Sequence, residues 1–239
     1  MTSAEMEPEV TPAESPQEPE EAAALDREPE APPAAPVPWE DPELSRLRGM
    51  GRTLKQVLFY PKDFYQGLSR EGWGEALAFG LIVGTLGMLA SLYWQLFFYL
   101  GFSRTLSSAP GLTRLFVMGS GAIMAMMFLT PLIVLGHLLL SSLGLWVAVG
   151  LTGGPWRGFT AAWRIICYAQ GAMLAGVVPL LGGPLAGLWG FFLTYRGLRG
   201  VFALSFWRSL GVLILSVLLQ TLLVLLLLGS VLGLRLLRG

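Results

Sequence analysis

From residue 76 onward the chain alternates long apolar runs with short polar breaks, the pattern of helices that span a bilayer rather than of a soluble domain. Residues 76–101 are long enough for one crossing. The polar stretch 103–114 (SRTLSSAPGLTR) then makes a loop. Residues 115–150 exceed one crossing but leave little room for two with a turn, so they read as one long helix kinked at Pro131, with a split into two helices as the alternative. Gly153, Gly154 and Pro155 end it. Residues 160–181 and 184–203 read as a helical hairpin, because Gly182-Gly183-Pro184 gives a turn too tight to hold an extramembrane domain. Residues 209–234 make a last span that closes on Arg235 and Arg238. The predicted fold is all-α: a polytopic transmembrane helical bundle of five spans over residues 76–239.

Two segments of other character precede it. In residues 44–75, Leu47, Met50, Leu54, Val57 and Leu58 recur at helical spacing while Arg46, Arg48, Arg52 and Lys55 fall mostly on other faces. That is a basic amphipathic helix suited to a membrane surface. Pro61 interrupts it, and Phe59, Tyr60, Phe64, Tyr65 and Trp73 supply rings of the kind that settle at headgroup level. Residues 1–43 combine repeated proline and acidic side chains with few large apolar ones, and read as a disordered acidic cytoplasmic tail.

Charge sharpens this picture. The formal net charge is zero, yet thirteen of the sixteen acids lie within residues 1–43, only Asp63, Glu71 and Glu75 follow, and residues 76–239 hold no carboxylate side chain. With five spans and the amino terminus inside, Arg46, Arg48, Arg52, Lys55, Lys62, Arg70, Arg157, Arg164, Arg196, Arg199 and Arg208 are cytoplasmic. Arg104, Arg114, Arg235 and Arg238 are outside. This asymmetry obeys the positive-inside rule, and a sixth helix would erase most of it. The heavy use of arginine over lysine and the lack of asparagine point to a GC-rich bacterial source and a bacterial cytoplasmic membrane, with endoplasmic reticulum or Golgi as the alternative.

Candidate chemistry is sparse. Cation-coupled carriers use intramembrane carboxylates, and this body has none. His137 and Ser141 lie one turn apart, but no acid is present to orient the imidazole, so a packed or bridging histidine is the expectation. Gly119-Ser120-Gly121 has the wrong spacing for a serine-protease elbow. Gly80-x-x-x-Gly84 and Gly183-x-x-x-Gly187 suit close helix packing, within the chain or in a homo-oligomer. The lone Cys167 and lone His137 make no metal cluster, and no phosphate loop, dinucleotide fingerprint or nucleic-acid module is present, so no cofactor and no enzymatic activity are expected. Arg46, Arg48, Arg52, Lys55, Arg164, Arg196 and Arg199 are the candidate contacts to anionic lipid or a cytoplasmic partner. Arg164, Arg196 and Arg199 in particular form a candidate basic pocket beneath the third and fourth spans.

Two stretches resemble the Yip1 domain family, particularly its bacterial members. In residues 53–80 a basic amphipathic entry precedes Pro61 and the aromatic pair Phe64-Tyr65. In residues 159–199, Ala161, Arg164, Tyr168 and Ala169 precede Pro179, Gly182, Trp189 and Gly197-Leu198. The resemblance spans residues 50–235 and implies five spans with a cytoplasmic amino terminus. Eukaryotic members associate with prenylated small GTPases in membrane traffic. The Asp-Leu-x-Gly-Pro motif of that branch is absent, so no functional residue carries over. The resulting expectation is a non-enzymatic membrane scaffold or adaptor that contacts lipids and cytoplasmic proteins. The competing expectation is a permease-like or lipid-moving protein whose polar path would be lined by Gln95, His137, Tyr168, Gln170 and Gln220.

Overall fold

The computed structural model describes residues 37–69, 71–106, 110–154 and 158–238, all within a compact unit that begins at Ala35. The predicted tail over residues 1–43 therefore falls mostly outside the described residues. Its last part does not: Val37 and Trp39 are packed in the core.

Among the described residues there are seven α-helices and no strand. Helix α1 spans Arg46–Phe59 and α2 spans Pro61–Gln66. Pro61 sits at the first position of α2, where its missing N–H leaves no bond unmade, so the predicted interruption is a junction between two helices. Three long helices follow the pattern of the apolar runs: α3 Gly74–Leu106, α4 Pro110–Leu151 and, last in the chain, α7 Phe206–Arg238. Each contains a segment long and apolar enough to cross a membrane: Gly74–Phe102, Met118–Leu151 and Phe206–Leu226. Helix α4 runs through Pro131 without a break, which answers the choice between one helix and two over residues 115–150. Pro131 can give no N–H to the preceding turn, and beside it the Thr130 hydroxyl donates to the Met126 carbonyl at 2.9 Å.

The hairpin between α4 and α7 is less regular than the sequence suggests. Helix α5, Phe159–Ala169, is followed by a 3₁₀ segment, Gln170–Val177, a tight turn with Leu180 at φ 62°, and α6, Gly182–Val201. Every residue of α5 from Ala161 to Ala169 is buried. A helix enclosed on all sides needs neighbours that approach closely, and glycines on α3 provide this. A Cβ on Gly80 would lie 2.9 Å from the Cys167 carbonyl oxygen, and one on Gly87 would lie 2.1 Å from that of Met173. Gly176 returns the fit, since a Cβ there would meet the Gly87 carbonyl oxygen at 2.4 Å. The Gly80-x-x-x-Gly84 pattern thus serves packing inside the chain, whereas a Cβ on Gly183 or Gly187 would meet nothing within 4 Å.

The amphipathic helix α1 buries a face shifted from the one that hydrophobicity picks out. Gly49, Thr53 and Val57 are buried, with Met50, Leu54 and Leu58 packed alongside, and Leu47 is 79% exposed. The reason is the segment 37–39, which crosses α1 so closely that a Cβ on Gly49 would sit 2.5 Å from the Pro38 carbonyl oxygen. The Trp39 N–H donates to Thr53 Oγ1 at 2.9 Å.

The glycine interface makes a direct prediction. Gly87→Ala forces a methyl into the Met173 backbone and is expected to destabilise the protein by about 1–3 kcal/mol. Gly183→Ala, which enters open space, is expected to leave stability unchanged. Thermal unfolding of the two variants in detergent checks the contrast, and equal midpoints would show that the α3 contact tolerates a side chain.

Candidate functional site

One end of the bundle collects the starts of α3, α5 and α7, the ends of α4 and α6, and helices α1 and α2. Arg208 at the start of α7 donates to the Thr152 carbonyl past the end of α4 at 2.6 Å, and Gly200 at the end of α6 lies against the Tyr65 backbone of α2. All seven candidate cations lie at this end. The structure divides them into three groups.

Arg164 is at the centre. It projects from α5 and is 1% exposed, an environment in which an unpaired guanidinium would be very costly. Its Nη2 lies 2.7 Å from Glu40 Oε1 and 3.0 Å from Oε2, while Nη1 donates to the carbonyls of Glu71 at 2.7 Å and Gly72 at 2.8 Å. Gly72 turns its carbonyl inward with φ +83°, a conformation that favours glycine, and a Cβ there would lie 3.2 Å from Arg164 Nη1. Tyr168, one turn along α5, stacks under the guanidinium at 5.6 Å and donates its hydroxyl to Glu40. Sequence reasoning missed Glu40 and Trp39 because they stand within the acidic, proline-rich stretch. The available signal was that Trp39 is the sole aromatic residue among the first 43.

A second group surrounds this pair. Arg46 makes a two-pronged contact to Glu75, at 2.8 and 3.1 Å, and lies over the Trp39 ring at 5.2 Å. The Glu75 hydrogen bond, then its charge, raises the Arg46 pKa above its ordinary value. The Trp39 indole N–H donates to the Glu75 carbonyl at 2.8 Å, and the Trp163 indole N–H donates to that of Trp73 at 3.1 Å. Residues 37–40 and 71–75 are thereby fastened to the helical body. Arg48, Arg52 and Lys55 are exposed on α1, the latter two beside a shallow depression of about 490 Å³ that also touches Val37 and Asp63.

The third group is a small cleft of about 110 Å³ between α2 and the end of α6, lined by Lys62, Gln66, Arg196, Arg199 and Gly200. Arg196 and Arg199 come together as the sequence suggests. Arg164 is not among the lining residues, being turned to Glu40, and Lys62 takes the third place. Nothing in the spacing of Lys62 along the sequence announces that α2 folds back beside α6.

The polar residues of the body do not assemble into one path. His137, Gln170 and Gln220 share a cavity of about 230 Å³ with Ser141, Thr194 and Ser216. Gln95 lines a different depression, toward Trp94 and Phe98, and Tyr168 is bonded to Glu40. Ser141 donates to Gln220 Oε1 at 3.1 Å and lies 3.4 Å from His137 Nδ1, and no carboxylate lines this cavity. This is a hydrogen-bonded bridge between α4 and α7, without the acid that would orient a catalytic histidine. Among the described residues no group of three or more His, Cys, Asp or Glu side chains is placed to hold a metal ion.

Residues 55–228 match the Yip1 domain family. The chain belongs to that family. It is accordingly an integral membrane protein, and the match takes in α2 to α6 whole, most of α7 and the last residues of α1. No curated protein and no solved structure matches the chain. Glu40 and Trp39 lie outside the matched residues of the Yip1 domain yet complete its interior around Arg164.

The ion pair predicts a large and specific loss. Glu40→Ala leaves the Arg164 charge buried without its partner and is expected to cost about 3–5 kcal/mol. Glu43→Ala, three residues on and exposed, is expected to change stability by less than about 0.5 kcal/mol. Chemical or thermal unfolding of both variants in detergent measures the difference, and near-equal stabilities would mean that Arg164 needs no carboxylate.

Proposed function

We propose that this Yip1 domain protein is a non-enzymatic membrane scaffold of five spans, with its amino terminus in the cytoplasm and its basic end presented to anionic lipid and cytoplasmic partners. The observation that carries the reading is the fastening of residues 37–40 to the helical body through Glu40 and Arg164. Such an anchor fixes residues 37–40 beside α1, whose outward face displays Arg48, Arg52 and Lys55. Clustered cations at a membrane surface attract anionic headgroups at about 1 kcal/mol each. The separation of Gln95, His137 and Tyr168 speaks against a transport path.

For the topology, the support lies in lengths and ends. The 3₁₀ segment rises about 2.0 Å per residue and an α-helix about 1.5 Å, so α5 with its 3₁₀ extension, and α6, each reach roughly 30 Å, the thickness of the hydrocarbon core. Helix α5 is shielded from lipid by its neighbours, which accounts for a span weaker in sequence than the outer three. The arginine-rich composition supports a bacterial cytoplasmic membrane as its place.

Two experiments test this. In a Cys167→Ser background, single cysteines at Thr152 and Ser205 are expected to react with a membrane-impermeant thiol reagent from the cytoplasmic side, and one at Leu181 from the opposite side. Labelling of all three from one side would remove the fourth and third spans. For the scaffold role, in-cell crosslinking and mass spectrometry would compare the full chain with versions lacking residues 1–36 and 1–43. The shorter deletion is expected to keep the fold and lose tail-dependent protein partners, and the longer one to lower stability as well by removing Trp39 and Glu40. If the full chain captures no protein, the adaptor reading fails.

A further inference from the structure

We propose that the cleft between α2 and the end of α6 is a discrete binding site for a phosphate group carried by a membrane lipid. The proposal rests on the reading of this end of the bundle as the headgroup-facing, cytoplasmic end. Three cations, Lys62, Arg196 and Arg199, and the Gln66 amide border about 110 Å³ of space, and no carboxylate lines it. Among the described residues none of the three cations has an ion-pair partner, in contrast to Arg46 and Arg164 at the same end. Arg196 Nε is buried and has no hydrogen-bond partner. Guanidinium groups that line a cleft free of carboxylates call for an anionic acceptor, and phosphate oxygens accept from arginine with strong, charge-assisted bonds.

The cleft is built by close packing and is not a chance meeting of long side chains. A Cβ on Gly200 would lie 2.7 Å from the Tyr65 backbone carbon and 3.0 Å from the Gln66 nitrogen, so α6 presses its last turn against α2. The Arg196 guanidinium is held over the Phe192 ring at 5.2 Å, and Phe192 in turn contacts Trp189 at 5.1 Å between ring centroids. This ladder of rings leads from the cleft down α6 toward the exposed apolar residues Leu185 and Leu188. A lipid whose phosphate sits among the cations would have its acyl chains beside that surface. A small soluble anion would leave it unused, and for that reason the structure favours a lipid as the source of the phosphate.

The full chain, reconstituted in phosphatidylcholine vesicles containing a minor fraction of phosphatidic acid, would be examined by native mass spectrometry for retained lipid. One phosphatidic acid per chain is expected, with retention cut roughly tenfold by Arg196→Gln or Lys62→Gln, the loss of one charge-assisted contact. Arg208→Gln removes equal charge from the start of α7, outside the cleft, and is expected to change retention by less than about twofold. Thermal unfolding checks that each variant remains folded, and the exposed Lys62 supplies the answer should Arg196→Gln not fold. Millimolar inorganic phosphate offered in pure phosphatidylcholine is expected to leave no adduct. An adduct there, abolished by the same two substitutions, would keep the site but overturn its assignment to lipid. No retained lipid and no phosphate adduct, or equal losses in all three variants, would overturn the site itself. Because only lipid and phosphate are added, absence of protein partners in the crosslinking experiment does not bear on this outcome.

Discussion

A guanidinium buried within a helix must be neutralised nearby, and from residue 76 to the end this chain contains no carboxylate side chain with which to do it. Arg164 therefore depends on a residue from outside the helical body, and the local architecture follows from how Glu40 is brought to it. Pro38 passes over Gly49, where only hydrogen occupies the side-chain position, and Thr53 receives the Trp39 N–H. The Trp39 ring then packs edge-on to Phe79 and bonds the Glu75 backbone, while Arg46 closes over it. Each contact is modest by itself. Together they fix the one carboxylate on which the buried charge relies.

The second constraint is distance between backbones. Helix α5 is buried along nine consecutive residues, and the 3₁₀ segment after it lies against α3 where Gly80, Gly84 and Gly87 line one side. In a membrane, where association of apolar helices gains little from excluding lipid, such shape fit and close approach supply much of the packing energy. The same device recurs where Gly197 meets Ile165 and where Gly200 meets Tyr65, so α6 is drawn against both the central helix and α2. The basic cleft is a product of that second contact.

The long helices α3, α4 and α7 were legible in the sequence, because sustained apolar length has few other physical explanations, and so was the junction at Pro61. The buried face of α1 was not, since Gly49 and Thr53 are buried for what they allow and accept rather than for hydrophobicity, and Leu47 follows the helical spacing yet faces outward. The hairpin was found but not its 3₁₀ half, which depends on glycines across the interface on α3. At the candidate site, basic side chains were recognised by kind, and their sorting was not. Arg164 and Arg196 look alike in sequence, but one meets a carboxylate 124 residues earlier in the chain and the other faces an open cleft. Long-range pairing of that sort leaves no mark in local spacing.

The separation between Glu40 and Arg164 also bears on how the protein is made. At a synthesis rate of about 5–20 residues per second, roughly 6–25 seconds pass between the emergence of one partner and that of the other. During that interval α3 and α4 are complete while Glu40 has no Arg164 to close upon. The Glu40–Arg164 closure is therefore among the later long-range contacts to form. A ribosome that stalls before α5 leaves a nascent chain with two apolar helices and an entry segment held through Trp39 alone, its Glu40 carboxylate still without a partner.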